Sequence, residues 1–456
     1  MAGIGFELRK ILKRDSYLSL VEAYVYAGVI SSGPWILSII GILVVGVLSL
    51  AIVIPDSLIV QFQLSATYLI AFSLILTGFI QPAFTRYIAD LLFEKKDHLV
   101  LCNFHGALCL ITCICGTVGV VLVWQFFPQQ TIFYRLVMVG SLVVLGNSWI
   151  ATIFLSGMKE YKAILGMYGL GYGTTVVAAL ALRPYGLEGL LLGFFIGQAL
   201  MLFSMLALIF RGYSSERFLA WDFLQKGNMY MSLVCLGIVY NLAIWIDKLL
   251  FWYYPETSQA VIGRIRSSPF YDLPIFLAYL AILPGMASFL VRMETDFVER
   301  NQEFYDAIRE GASLDYIQRA KQEMIRCVRQ GLLEIMKVQF VVFLIILGSG
   351  SSLLQWLGIS DLYESLLYVF VVAVGLQVLF LGILNVLFYL DKRLVALSLT
   401  SLFLVSNTAL STWSLYLGLP FYGYGFTMSL LLVVVVGVYV LDVKLQKLEY
   451  ETFMLQ

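Results

Sequence analysis

Twelve long apolar runs, nearly end to end, leave this chain one kind of fold. They lie at about 26–54, 58–83, 99–127, 133–156, 163–182 and 187–210, then at 229–253, 268–291, 337–357, 364–390, 394–418 and 424–441. Each suffices for a helix to cross a hydrocarbon core, which takes roughly 20 residues. In lipid the backbone must close its hydrogen bonds within the segment, so these runs read as helices and not strands. Composition agrees. The chain is 61% hydrophobic and 13% charged, against about a quarter charged in soluble domains. The expected fold is an all-α integral membrane protein of about twelve transmembrane helices in two six-helix lobes.

The positions of the charges set the orientation, since the net charge is zero. With a cytoplasmic N-terminus, alternate connections collect 24 of the 29 Lys and Arg residues; only Arg135, Arg183, Lys248, Arg264 and Arg266 fall elsewhere. An error in the number of spans would scramble that bias, which is the positive-inside rule. Both termini are therefore expected in the cytoplasm. The first apolar run exceeds a signal-peptide core and lacks a small-residue cleavage site, so it is expected to remain as a helix.

The organisation follows. Residues 1–24 form an amphipathic N-terminal segment, with Ile4, Leu8, Ile11 and Leu12 opposite Arg9, Lys10, Lys13 and Arg14. Residues 25–210 form an N-lobe of spans one to six, 211–228 a cytoplasmic linker, and 229–441 a C-lobe of spans seven to twelve. A cytoplasmic insertion at 292–336 interrupts the C-lobe, and 442–456 is a cytoplasmic tail. Within the insertion Leu314, Ile317, Ala320, Met324, Val328 and Leu332 line one helical face, as in a surface helix resting on its own bundle. Arg319, Lys321, Arg326 and Arg329 lie largely off that face and are candidates for docking a cytoplasmic partner.

Halving the chain at 211–228 exposes a short repeat. The second span leaves the membrane through Phe84, Arg86 and Asp90, the eighth through Phe289, Arg292 and Asp296. An Arg-x-x-x-Asp spacing lets the charges meet one helical turn apart. These four charged residues are candidates for a cytoplasmic gate in two parallel repeats.

Enzyme signals are absent. There is no nucleotide-binding G-x-x-x-x-G-K-[ST], no H-E-x-x-H and no D-x-D in the inside connections. No catalytic residue, metal or cofactor is expected. The six cysteines form no C-x-x-C pair, and His98 and His105 are not placed to complete a metal site; the cysteines read as small core residues. Transport remains. In the seventh span Asn241, Asp247 and Lys248 are candidates for a cavity, Asp247 lying roughly 27 Å along its helix from Met229. A local ion pair of Asp247 with Arg264 or Arg266 is the plainer alternative. Ser31, Ser32, Gly33 and Pro34 break the first span, as a bend or as a hinge. Thr77, Gly78 and Pro82, then Pro274, Pro284 and Gly285, weaken spans two and eight. Gly166, Gly169, Gly171 and Gly173 are expected to permit close helix packing. Trp252, Tyr253, Tyr254, Tyr422 and Tyr424 lie at span ends as interface anchors.

The opening MAGIGFELRK from Met1 to Lys10, the stretch GVISSGPW from Gly28 to Trp35, YDLPIF from Tyr271 and RMETD from Arg292 to Asp296 resemble the PelG family of Pel exopolysaccharide exporters along the full length. That family belongs to the multidrug/oligosaccharidyl-lipid/polysaccharide flippase superfamily, with twelve helices in two six-helix lobes. The resemblance implies a bacterial inner-membrane exporter of an N-acetylgalactosamine-rich polymer for the biofilm matrix; the mechanism expected for it is export through a cavity between the two lobes. It also implies three partners: a cytoplasmic glycosyltransferase, a cyclic-di-GMP-binding membrane protein and a tetratricopeptide membrane scaffold. It supplies no transport residues. Two other readings stay open, a cation-coupled multidrug or lipid-linked oligosaccharide flippase and a non-transporting scaffold for the glycosyltransferase.

Overall fold

The computed structural model describes residues 17–49, 55, 57–158, 160–215 and 217–450. Most of the amphipathic N-terminal segment (1–16) and the end of the tail (451–456) lie outside the described residues. In chain order the helices are α1 (Tyr17–Ser49), α2 (Ser57–Thr77), α3 (Gln81–Phe93), α4 (Val100–Phe126), α5 (Ile132–Gly157), α6 (Tyr161–Leu182), α7 (Gly186–Gly212) and α8 (Met231–Tyr253). A hairpin of β1 (Gln259–Ile262) and β2 (Ile265–Ser267) follows. Then come α9 (Pro269–Leu280), α10 (Leu283–Val291), a π-helical turn at Arg292–Asp296, α11 (Phe297–Arg309), α12 (Leu314–Trp356), α13 (Glu364–Tyr389), α14 (Arg393–Leu417) and α15 (Tyr424–Gln446).

Among the described residues nine stretches are apolar and long enough to cross a membrane, and one of them, Lys162–Gly212, carries both α6 and α7. The bent pair formed by Pro269–Leu280 and Leu283–Arg309 adds a span, and α1, apolar over Leu37–Ser49, adds the last. The chain is a multi-pass helical membrane protein of about twelve spans.

The helices gather into two compact units. The N-unit holds Gly33–Trp245 and Trp252–Ser268; the C-unit holds the chain up to Ser32, Ile246–Phe251 and everything from Pro269. Two helices thus change unit midway, α1 at Ser32/Gly33 and α8 around Ile246–Phe251. In the N-unit α5 is the hub on which α2, α4 and α7 pack, and in the C-unit α13 holds α9, α12 and α15. These are the fourth and tenth spans, and of the nine apolar stretches theirs are the most buried, at 56% and 67%. The equivalence of positions six spans apart extends the repeat from a short motif to the packing order.

Several expectations change. The helix of α1 runs unbroken through Ser31, Ser32, Gly33 and Pro34, since a proline removes one backbone donor while the turns on either side keep theirs. Span two does break, between Thr77 and Gln81, where Gly78 meets Gly237 of α8. A Cβ on Gly237 would lie 1.9 Å from the Gly78 carbonyl oxygen, so only glycine allows that crossing. Span eight bends by 42° between α9 and α10, with Pro284 in the first turn of α10, where its missing N–H is not needed. The glycines of α6 are mostly not packing sites, because a Cβ on Gly166, Gly169 or Gly173 would meet nothing within 4 Å. The close approach is made from α7, where Gly193 lies against Ala179 and Gly197 against Thr175. Cys109, Cys113 and Cys235 are exposed, whereas Cys102 and Cys115 are buried.

The largest departure is the 292–336 insertion. No surface helix ends before the ninth span; α12 is one helix of 43 residues, about 65 Å long. Its buried stripe, Ile317, Ala320, Met324, Val328, Gly331, Ile335 and Gln339, continues in register from the extramembrane part into the span. Leu314, expected on that face, is exposed. Ser313 caps the helix by accepting from the Tyr316 N–H.

Candidate functional site

In the C-unit α8 carries two adjacent charges into the interior. Asp247 is fully buried and Lys248 nearly so. The ammonium lies 3.2 Å from the Asp247 carboxylate. The Tyr271 hydroxyl of α9 donates to the same carboxylate at 2.6 Å. Lys248 also sits over the rings of Phe426 (5.0 Å) and Tyr279 (5.6 Å). Tyr271 stacks on Phe251, their ring centroids 3.9 Å apart. A buried charge is tolerable only when paired and hydrogen-bonded, and here the pair is neighbouring residues of one helix held by a tyrosine from the next. The expected partners Arg264 and Arg266 lie elsewhere: Arg266 donates to the Ser258 hydroxyl at 2.8 Å, and Arg264 is exposed, with its backbone N–H donating to the Phe126 carbonyl. An enclosed, electrically neutral Asp–Lys–Tyr cluster can exchange its internal partner for a cation or a polar ligand group, and equally can lock α8 to α9.

Asn241, the third candidate of this span, belongs to the N-unit. Its amide donates to the Gly237 carbonyl at 2.9 Å, beside the Gly78 crossing, so it completes a helix junction. Trp252, expected as an interface anchor, is buried and stacks on Tyr68 at 4.4 Å.

The repeated charge motif forms in both halves, with different surroundings. Arg86 and Asp90 pair at 3.0 Å on the surface of α3. Arg292 and Asp296 pair at 2.7 Å across the π-helical turn. There Arg292 also binds Glu334 of α12 at 2.6 Å, and Glu334 accepts from the Tyr24 hydroxyl of α1. One extra residue per turn rotates Glu294 inward, where its carboxylate accepts from Asn385 (2.6 Å) and Tyr389 (3.1 Å). Tyr24, Glu334, Glu294 and Asn385 were missed in the sequence. A π-helical turn leaves no mark on 3.6-residue periodicity, and Glu294 reads as one more charge in an exit motif.

Of the docking candidates, Lys321 binds the Gln446 carbonyl (3.0 Å) and the Glu449 carboxylate (3.3 Å), and Arg329 binds Asp442 (2.6 Å). Both are held by α15 and the residues after it. Among the described residues Arg319 donates only to the Asp315 carbonyl of its own helix, and Arg326 is exposed. Pro284 is followed by Gly285, where a Cβ would lie 1.9 Å from the Gln339 amide nitrogen. That amide donates to the Ile282 carbonyl at the bend, so the break in span eight is pinned from α12.

The sequence matches, over residues 1–453, the model of the PelG family, described as "Putative exopolysaccharide Exporter (EPS-E)". The chain belongs to the PelG family. No curated protein matches it in sequence. Among solved structures the PelG-family chain is similar to a multidrug resistance MATE family transporter of the MOP superfamily in its outward-facing conformation, at 13% identity and a TM-score of 0.67, over 94% of this chain and 97% of the other. An inward-facing structure, also of a multidrug resistance MATE family transporter of the MOP superfamily, gives a TM-score of 0.60 at 12% identity, covering 94% and 99%. A MOP superfamily transporter from Pyrococcus furiosus gives 0.65 at 12% identity, covering 93% and 97%. At such identities the likeness shows the fold. The family description makes the PelG-family chain a membrane transporter with an export role.

Proposed function

We propose that this chain exports a Pel-type, N-acetylgalactosamine-rich exopolysaccharide from the cytoplasm to the periplasm across a bacterial inner membrane, within a synthase–export complex that builds biofilm matrix. The observation that carries the reading is the family match, which spans the protein from Met1 to residue 453. The Lys/Arg asymmetry supports an inner-membrane orientation with both termini cytoplasmic. On this reading α11 and the first half of α12 project into the cytoplasm, towards the glycosyltransferase, the cyclic-di-GMP-binding membrane protein and the tetratricopeptide scaffold. Arg319 and Arg326 are the cations left for docking, since α15 and its tail hold Lys321 and Arg329.

The test is genetic. Cells that make the polymer and lack this protein should accumulate no periplasmic polymer while keeping synthase activity, and the wild-type gene should restore export. Polymer outside the inner membrane in the deletion strain would refute the assignment. Reversing Arg319 and Arg326 to Glu should reduce recovery of the cytoplasmic partners with the purified protein; undiminished recovery would remove the docking role.

A further inference from the structure

The stretch 211–228 reads as a polar linker, yet it folds back along α4 in the N-unit. The Ala220 N–H donates to the Cys102 carbonyl at 3.0 Å. Asn103, fully buried, accepts from the Asp222 N–H at 2.9 Å and donates to the Asp222 carboxylate at 3.2 Å. Phe223 is buried against Phe84 and Tyr87, with ring centroids 5.5 Å and 6.3 Å away. A Cβ on Gly106 would lie 2.1 Å from the Ala220 carbonyl oxygen, so the strap rests backbone to backbone on the span.

Depth is the informative quantity. Cys102 to Gly106 lie five to nine residues into the stretch Asp97–Phe126, roughly 7–14 Å along its axis. The strap therefore runs beside the first turns of a membrane span, not beyond its end. Ala220 and Phe223 face inward, while Phe218 (81% exposed), Leu219 (42%) and Trp221 (37%) face outward. Phe218 is steadied by stacking on His105, whose Nδ1 lies 2.8 Å from the Phe218 carbonyl oxygen. Arg211, Arg217 and Lys226 flank this ridge and are exposed. Two acids lie in the stretch, Glu216 and Asp222, against the three cations, and Asp222 is taken by Asn103 and by Gln225 at 2.9 Å. Outward aromatics between exposed cations, held rigidly at the depth of a span's first turns, complement an anionic bilayer surface.

We propose that the 211–228 strap is a membrane-interface anchor: Arg211, Arg217 and Lys226 bind anionic phospholipid headgroups, while Phe218, Leu219 and Trp221 enter the boundary between headgroups and acyl chains. The anchor fixes the depth of the basic end of the N-unit and makes the protein's behaviour depend on anionic lipid.

The full-length protein in phosphatidylcholine discs, with phosphatidylglycerol carrying a photoreactive headgroup, tests this by mass-spectrometric mapping of adducts. Adducts should form within 211–228 and fall on the order of tenfold in the Arg211→Gln, Arg217→Gln, Lys226→Gln variant, with adducts elsewhere unchanged as the control for folding. Excess free glycerol phosphate should not compete. A strap without adducts, equal labelling of variant and wild type, or full competition by glycerol phosphate would each overturn the proposal. The last two would mean non-selective contact and a soluble-phosphate site.

Discussion

A carboxylate with no exposed surface is stable in a lipid-embedded bundle only when its charge is answered, and Asp247 is answered twice, by Lys248 and by Tyr271. Removing one partner of such a pair strands the other, at a cost of about 3–5 kcal/mol, whereas replacing both with apolar groups is often neutral. Asp247→Asn and Lys248→Met should therefore each lower the thermal unfolding midpoint in detergent strongly, and the double variant should recover most of the loss. Additive losses in the double variant would show that the two charges are not a unit. Asp247 and Lys248 were legible because a charge within an apolar run is a compositional outlier. Tyr271 was not, because one tyrosine among 27 carries no signal until the helices are placed. The same holds for Glu294, whose burial follows from a backbone turn and not from its neighbours in sequence.

At the scale of elements, α12 shows what pattern can and cannot deliver. The apolar stripe of its first half was readable as a helix face; its continuity with the ninth span was not. No proline or glycine falls between Leu332 and Ile346, so nothing marks an end there, and hydropathy changes while the helix does not. Its contact with the π-helical turn depends on Gly331, where a Cβ would lie 2.8 Å from the Met293 methyl group. Gly331→Leu should destabilise by about 1–3 kcal/mol through overpacking, read as a lower unfolding midpoint. Gly348→Leu, in the same helix with nothing within 4 Å of its Cβ, should leave the midpoint unchanged. Equal effects at the two positions would place α12 wrongly against the turn. Asn103→Ala should likewise cost about 1–3 kcal/mol by stranding buried backbone donors of the strap. An unshifted midpoint would show that the strap is not clasped there.

For the whole molecule, about twelve spans were legible because lipid permits few alternatives, and the charge bias constrains their count. The repeat was visible in sequence as a phenylalanine shortly before an Arg-x-x-x-Asp at the exits of spans two and eight. It is plainer in the packing, where the fourth and tenth spans are the hubs of their units and the second and eighth are both broken. The orientation is open to direct check. Reporter fusions at Lys96 should be active only as cytoplasmic markers, and those at Gln129 only as periplasmic ones; the reverse would invert the account of both ends. Export itself is tested most directly with inverted inner-membrane vesicles that carry the chain and its synthase and receive labelled nucleotide sugar from outside. Polymer should become protected from an added glycan hydrolase only when the chain is present. Equal protection without it, or polymer that stays fully accessible with it, would contradict a transporter that carries exopolysaccharide across the membrane.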